Sequence, residues 1–170
     1  MKAIYDGGST YCVPTSLSAV TGVGTKKITE IIQKLRKNKR KVTGVSVMEI
    51  KQLFNLLKIE AEPTMLPGDR IRLSKWATYI RQKGVVYLVL TRSHMMVIRD
   101  SEVICTQFKG CVGPLGQSKF LKSEIRMAYA VKNPATVNEI VTQGAERIKG
   151  NPMASFRTSF GTIGIFSGSV

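Results

Sequence analysis

The stretch that decides the fold is VVYLVLTRSHMMVIRDSEVICT, residues 85–106. Its first six residues form a continuous β-branched and apolar run, which predicts a strand buried on both faces. Two more apolar segments, residues 94–98 and 102–106, flank the polar tripeptide Arg99-Asp100-Ser101 and predict a β-hairpin. This part of the chain is therefore expected to form successive strands of an antiparallel sheet.

The residues before this stretch predict helices. Residues 12–21 are typical of a short helix, because Pro14 is tolerated in a first helical turn and Gly22 is a helix stop. Thr25 is predicted to cap a second helix, in which isoleucine and leucine recur at the spacing of one apolar face.

Other local signals complete an α+β pattern. Ser46 and Glu49 have the spacing of a capping box, which predicts the start of a third amphipathic helix. We also expect a short helix from Ser74 to Gly84, a glycine-rich loop at 108–118, a strand at 126–131 and a closing helix at 134–148.

The length of 170 residues suits one domain, expected over residues 1–149, in which an N-terminal helical half packs on the antiparallel sheet. Residues 150–170 are rich in Gly, Ser and Phe and cannot build a core alone. This tail is expected either to stay loose or to dock on a partner protein.

The chain is strongly basic, with 26 Lys and Arg against 11 Asp and Glu and a net charge of +15. That balance predicts a polyanionic neighbour: nucleic acid, an acidic protein surface or a membrane face. Six of the eight residues in KLRKNKRK are basic, and no acid occurs from Ile31 through Met48. The candidate polyanion contacts are Lys34, Arg36, Lys37, Lys39, Arg40 and Lys41. Nucleic acid would bind there through phosphate, since no aromatic residue interleaves with the run, but a solvated helix end is the ordinary alternative.

Several classes of protein are not indicated. No run of 18 or more apolar residues occurs, so no transmembrane segment is expected, and the N-terminus lacks the apolar core of a secretory signal. A cytoplasmic or virion-associated location is therefore expected.

Three cysteines, Cys12, Cys105 and Cys111, suit neither a disulfide framework nor a paired zinc motif. We expect one working thiol, two bystanders and no metal or other cofactor.

The working thiol is predicted to be Cys12. A thiol is an effective nucleophile as its thiolate, which is favoured by the positive end of a helix and by a nearby imidazole. Cys12 opens the first predicted helix, and His94, the one histidine of the chain, begins a predicted strand. Cys12 as a small buried hydrophobe and His94 as a structural histidine are the alternatives.

Three segments resemble the papain-like cysteine peptidase superfamily, in particular the bacteriocin-processing peptidases. These are YCVPTSLSAV at 11–20, TGVSVMEIKQL at 43–53 and SHMMVI at 93–98, and the likeness spans about residues 3–131. The resemblance implies a papain-like fold, a peptide or protein substrate, Cys12 as nucleophile and His94 as its base.

The same resemblance directs attention to positions that depart from the family. Asp6 stands where the family has an oxyanion-hole glutamine, and a carboxylate there would repel an oxyanion. Gln107, with Thr106 beside it, falls nearest the family's third catalytic position, whereas Asp100 is expected at the hairpin tip. These departures keep open a second interpretation: a non-enzymatic, basic virion or phage assembly protein with a degenerate peptidase-like fold.

Overall fold

A computed structural model of the protein describes residues 1–7, 10–66, 70–79 and 81–135. Across these residues the fold is mixed α+β, with four α-helices and one antiparallel sheet of six strands. The helices are α1 (Cys12–Thr21), α2 (Thr25–Leu35), α3 (Val47–Leu56) and α4 (Leu73–Tyr79). The strands are β1 (Ala61–Pro63), β2 (Val86–Thr91), β3 (Met95–Arg99), β4 (Glu102–Ile104), β5 (Val112–Pro114) and β6 (Ile125–Val131).

The strands lie in the order β1-β6-β2-β3-β4-β5, so β2 and β3 are central. The predicted hairpin is confirmed by the antiparallel pairing of Val97 with Ile104 and of Arg99 with Glu102. Strands β2 and β3 pair from Val86 opposite Arg99 to Leu90 opposite Met95. Residues 91–94 therefore turn the chain at one end of the sheet, and Asp100 turns it at the other.

Both faces of the sheet are covered, which explains why β2 is apolar without alternation. Leu88 faces the core formed with α1, α2 and α3, whereas Val89 faces a second core formed with α4 and the segment before β6. The methionine pair follows the same alternation, with Met95 in the first core and Met96 in the second. Both methionines are therefore buried, because both sides of the sheet are covered.

The local signals of the first and third helices are confirmed. Helix α1 spans the predicted residues and ends at Gly22, whose φ of 69° is the left-handed conformation that glycine adopts without strain. The Ser46 side chain accepts a hydrogen bond from the Glu49 N–H, and the Glu49 carboxylate accepts one from the Ser46 N–H. Both halves of the predicted capping box are thus present.

Other boundaries differ from the prediction. Helix α2 includes Thr25 as its first residue and follows an N-cap at Gly24, so Thr25 is not the cap. Helix α4 begins at Leu73, one residue before the predicted start, and ends at Tyr79. Gly84 instead lies in the turn before β2, where its N–H donates to the Asp100 carboxylate over 2.8 Å.

Strands β1 and β5 were not predicted, because each has three residues and ends in a proline. They form the two edges of the sheet, where the missing N–H of proline costs no ladder hydrogen bond. Strand β5 lies within the stretch predicted as a glycine-rich loop. The predicted closing helix beyond Ala135 and the tail at 150–170 lie outside the described residues.

Candidate functional site

Cys12 is the first residue of α1, and its half-buried free thiol packs against the first core. The N-cap residue Tyr11 is extended and makes no side-chain hydrogen bond to the helix. Pro14, in the same turn, has no N–H. The N–H groups of Cys12 and Val13 therefore receive no side-chain cap from Tyr11, and the positive end of the helix lies at the thiol.

His94 lies immediately before β3, at the end of the turn that leaves β2. The Thr91 N–H donates to the His94 carbonyl over 2.8 Å, and the His94 N–H donates to Thr91 Oγ1 over 3.1 Å. These two bonds hold the backbone of the turn. The imidazole stacks on the Phe120 ring, with centroids 3.9 Å apart and planes 12° from parallel. Its Nε2 is buried and has no hydrogen-bond partner among the described residues.

The surroundings of His94 disfavour its protonated form. Burial of the ring, together with the positive charge of Lys119, lowers the pKa of His94 from 6.5 to about 4. The imidazole is therefore neutral at pH 7. In that state it can accept a proton, but it offers no positive charge to a resting thiolate.

Cys12 and His94 lie toward the same end of the sheet. Helix α1 packs on β3, the strand that His94 precedes. Cys105 follows β4 and is buried beside the start of β3, because β4 runs antiparallel to β3 with Ile104 opposite Val97. The pKa of the Cys105 thiol is raised chiefly by burial, and a charge on Cys12 adds to that rise while Lys119 opposes it. Cys12 and Lys119 thus both lie close enough to Cys105 for their charges to affect the pKa of its thiol.

The N-terminal segment links α1 to the loop after Cys105 independently of charge. The Tyr5 hydroxyl lies 3.1 Å from Thr15 Oγ1, one turn along α1 from Cys12. The Tyr5 ring also packs against Gly110, so closely that a Cβ there would lie 2.6 Å from it. The Gly110 N–H in turn donates to the Cys105 carbonyl over 3.1 Å. One aromatic side chain therefore joins the helix to the turn that follows β4.

Gln107 lies in a 3₁₀ turn after Cys105, and both Nε2 and Oε1 of its amide hydrogen-bond to the loop before Phe120. Its Nε2 donates to the Gln117 carbonyl over 3.0 Å, and its Oε1 accepts from the Lys119 N–H over 2.9 Å. Within the described part of the chain, no hydrogen bond joins Gln107 to the imidazole. Its connection to His94 runs through the loop that presents Phe120, and a direct orienting role stays a prediction.

Asp6 has a local structural role. Its Oδ1 accepts hydrogen bonds from the Lys26 N–H over 2.7 Å and from the Thr25 hydroxyl over 3.3 Å. The carboxylate thereby caps α2 from outside the helix. It lies so close to Gly24 that a Cβ there would be 2.0 Å from Asp6 Oδ2. Its charge is directed at the positive end of α2, where a carboxylate is stabilising.

The basic run divides into two groups. Arg36 is half-buried and bonds to Glu49, with 2.6 Å between Arg36 Nε and Glu49 Oε1. Its hydrogen bond is the largest cause that lowers the pKa of Glu49 to about 2. Arg36 thus joins α2 to α3, and this role competes with its predicted polyanion contact. The exposed members are Lys34, Lys37, Lys39, Arg40 and Lys41. Of these, Lys41 holds its Nζ 5.0 Å from the centroid of the Tyr11 ring.

Sequence reasoning missed Phe120, Lys119 and Tyr11 as members of the candidate site. Lys119 and Phe120 carry no motif, and the fold of their loop brings them to His94. Tyr11 adjoins Cys12 in the sequence, but its contact with Lys41 depends on the tertiary structure. Over the described residues, no group of three His, Cys, Asp or Glu side chains is arranged to hold a metal ion. In the same residues, no helix is long and apolar enough to cross a membrane.

Comparisons of the chain with protein-family models, curated proteins and solved structures find no match.

Proposed function

We propose that the protein is a papain-like cysteine hydrolase in which Cys12 attacks an amide carbonyl with His94 as the base. The observation that carries the proposal is a free thiol at the uncapped start of α1 and a buried imidazole nitrogen without a partner, toward the same end of β3. The resemblance of residues 11–20 and 93–98 to the papain-like superfamily supports the same assignment of roles.

The chemistry requires one proton to be moved twice. Cys12 Sγ forms a bond to the carbonyl carbon as His94 takes the thiol proton, and the imidazolium then gives that proton to the departing amine. Water hydrolyses the resulting thioester, restoring the thiol and releasing the acid. The N–H groups of Cys12 and Val13, at the start of α1, would stabilise the oxyanion.

His94 is neutral before substrate binds, because its pKa is about 4. The neutral ring can take the thiol proton and offers no positive charge to the sulfur. This differs from a resting thiolate–imidazolium pair, in which the imidazolium stabilises the thiolate before substrate binds.

The test is alkylation of Cys12 by iodoacetamide near neutral pH, followed site by site with peptide mapping. We expect labelling of Cys12 to be several-fold slower in a His94→Ala variant, because the base is lost. Cys111 is exposed and serves as the reference thiol within the same molecule. Equal rates at Cys12 in both proteins would count decisively against the proposal. Hydrolysis of a peptide library should likewise disappear in Cys12→Ser.

A second function is favoured by the charge of the loop after α2. Lys37, Lys39 and Arg40 are exposed there, in a segment without acids from Ile31 through Met48. A non-enzymatic assembly protein would use these cations to bind the phosphates of nucleic acid. Its affinity for a DNA duplex should then fall steeply as salt rises, because bound counterions are released on binding. An affinity that is independent of salt would exclude this function.

A further inference from the structure

Two lysines, each held over an aromatic ring, lie near the candidate nucleophile and its base. Lys41 Nζ is 5.0 Å from the ring centroid of Tyr11, the residue directly before Cys12. A lysine over an aromatic face is attracted by the ring and restricted in position. A positive charge thus lies beside the N-cap residue of the helix that Cys12 begins.

His94, the candidate base, also has a lysine and an aromatic ring beside it. Lys119 Nζ is 5.2 Å from the centroid of the Phe120 ring, which stacks on His94 with a centroid distance of 3.9 Å. The ammonium therefore lies at most about 9 Å from the imidazole centroid. The fall in the pKa of His94 caused by Lys119 agrees with this proximity.

Neither ammonium is neutralised by the described residues. The three ion pairs there are Arg36–Glu49, Arg99–Asp100 and Lys132–Glu62, so Lys41 and Lys119 have no carboxylate within 4.0 Å. No acid occurs in the sequence at 31–48 or at 103–123, the segments that carry the two lysines. The Asp6 carboxylate accepts a hydrogen bond from the Lys26 N–H at the start of α2 and is paired with neither lysine.

We propose that the Cys12–His94 site accepts an acidic peptide segment, with Lys41 and Lys119 receiving carboxylates on the two sides of the reacting pair. This inference rests on the proposed function and adds to it the class of substrate. A peptide is favoured over nucleic acid because one face of each ring beside the pair is already occupied, that of Tyr11 by Lys41 and that of Phe120 by His94. Base stacking needs such faces to be free.

The first test compares two reagents that differ in charge, iodoacetate and iodoacetamide, at Cys12. The ratio of their rates removes any change in the intrinsic reactivity of the thiol. We expect Lys41→Gln and Lys119→Gln each to lower the iodoacetate-to-iodoacetamide ratio by about two- to threefold, as a unit charge roughly 8 Å away in water would. About 1 M salt should abolish the difference, because it shortens the screening length to about 3 Å.

The matched control is Lys83→Gln. Lys83 is exposed and precedes β2, at the end of the sheet opposite His94. We expect this variant to keep the wild-type ratio. A ratio that the two site variants leave unchanged, or that Lys83→Gln lowers equally, overturns the inference. His94→Ala should slow both reagents and keep their ratio, so failure of the proposed function is seen separately, in the iodoacetamide rate alone.

The second test identifies the ligand class by protection of Cys12 from iodoacetamide. A short peptide of alternating Glu and Gly should protect the thiol, and its Gln-Gly counterpart should protect it much less. Lys41→Gln combined with Lys119→Gln should remove the preference. Protection by a single-stranded DNA oligonucleotide without protection by the acidic peptide would overturn the inference in favour of nucleic acid, and equal protection by both peptides would also overturn it.

Discussion

The imidazole of His94 is stacked on the ring of Phe120, with centroids 3.9 Å apart and planes 12° from parallel. Phe120 comes from the loop between β5 and β6, and Gln107 hydrogen-bonds to that loop at two points. The ring excludes water from one face of the imidazole, and burial is the largest cause of the low pKa of His94. The state of the candidate base therefore depends on a loop that contains none of the predicted catalytic residues.

The ionisation of His94 can be measured without assignment problems, because the chain has one histidine. Its imidazole proton signals in an NMR titration should move with a midpoint of about 4, well below 6.5. Lys119→Gln should raise that midpoint modestly, since a nearby positive charge is removed while burial remains. Lys83→Gln should leave it in place. A midpoint near 6.5 in the native protein would mean that the ring is solvated and that the stack on Phe120 does not form.

The same pKa predicts how stability depends on pH. Between pH 4 and 6.5 the unfolded chain binds the His94 proton more readily than the folded protein, because the folded pKa is the lower one. The free energy of unfolding should therefore decrease as pH falls through this window. His94→Gln should remove that part of the dependence in urea titrations at several pH values. An unchanged slope in the variant would rule out His94 as its source.

Gln107 should act as a support for the loop that carries Phe120. Gln107→Ala removes both hydrogen bonds, each worth about 1 kcal/mol, and should lower the free energy of unfolding by about 1–2 kcal/mol. Gln107→Glu still accepts from the Lys119 N–H but cannot donate to the Gln117 carbonyl, so an intermediate loss is expected. Urea denaturation gives the free energies. If Gln107→Ala leaves both stability and the NMR midpoint of His94 unchanged, the support role is wrong.

Asp6 and Gly24 should be coupled. Asp6→Ala removes the carboxylate that caps α2 and should cost about 1 kcal/mol. Gly24→Ala alone should be more damaging, because its Cβ would lie 2.0 Å from Asp6 Oδ2. In the double variant that clash is absent, so the loss should be smaller than the sum of the two single losses. Simple additivity in thermal or urea denaturation would show that the two side chains do not meet.

Arg36 and Glu49 should be coupled through an attraction between their native side chains. Glu49→Gln keeps a side chain able to complete the capping box but removes the charge that Arg36 contacts. A double-mutant cycle with Arg36→Gln should give a stabilising interaction of about 1 kcal/mol or less. The folded pKa of Glu49 is lowered from 4.5 to about 2, so this contribution is present above pH 4.5 and is lost as pH falls toward 2. A coupling of zero at neutral pH would show that the contact of Arg36 with Glu49 does not stabilise the fold.

The fold was predictable where its signals are local. The Ser46–Glu49 capping box, the glycine after α1 and the apolar run of β2 are each contained in a few consecutive residues. Strand β1 was missed because it exists only by pairing with β6, as Ala61 pairs with Val131. The cap of α2 was missed because it also depends on a distant contact. Asp6 lies 20 residues before Lys26, whose N–H donates to its carboxylate.

The candidate site was only partly predictable. Cys12 was found from its position at a helix start and His94 from being the one histidine. Neither feature indicates which side chains surround them. Gln107 was selected as an orienter of the ring, yet its hydrogen bonds go to the loop at 117–119. Arg36 was grouped with exposed cations, although its partner Glu49 makes it a link between two helices.

The amino-acid sequence by itself determined the helices, the central strands and the excess of positive charge, because periodicity, capping and composition act over short stretches of chain. The tertiary structure decided what surrounds the thiol and the imidazole. Lys41 comes from the loop after α2, and Lys119 and Phe120 come from the loop before β6; packing brings both loops to the site. The pKa of His94 follows from that packing, because burial and a nearby charge depend on distance in space and not on separation along the chain.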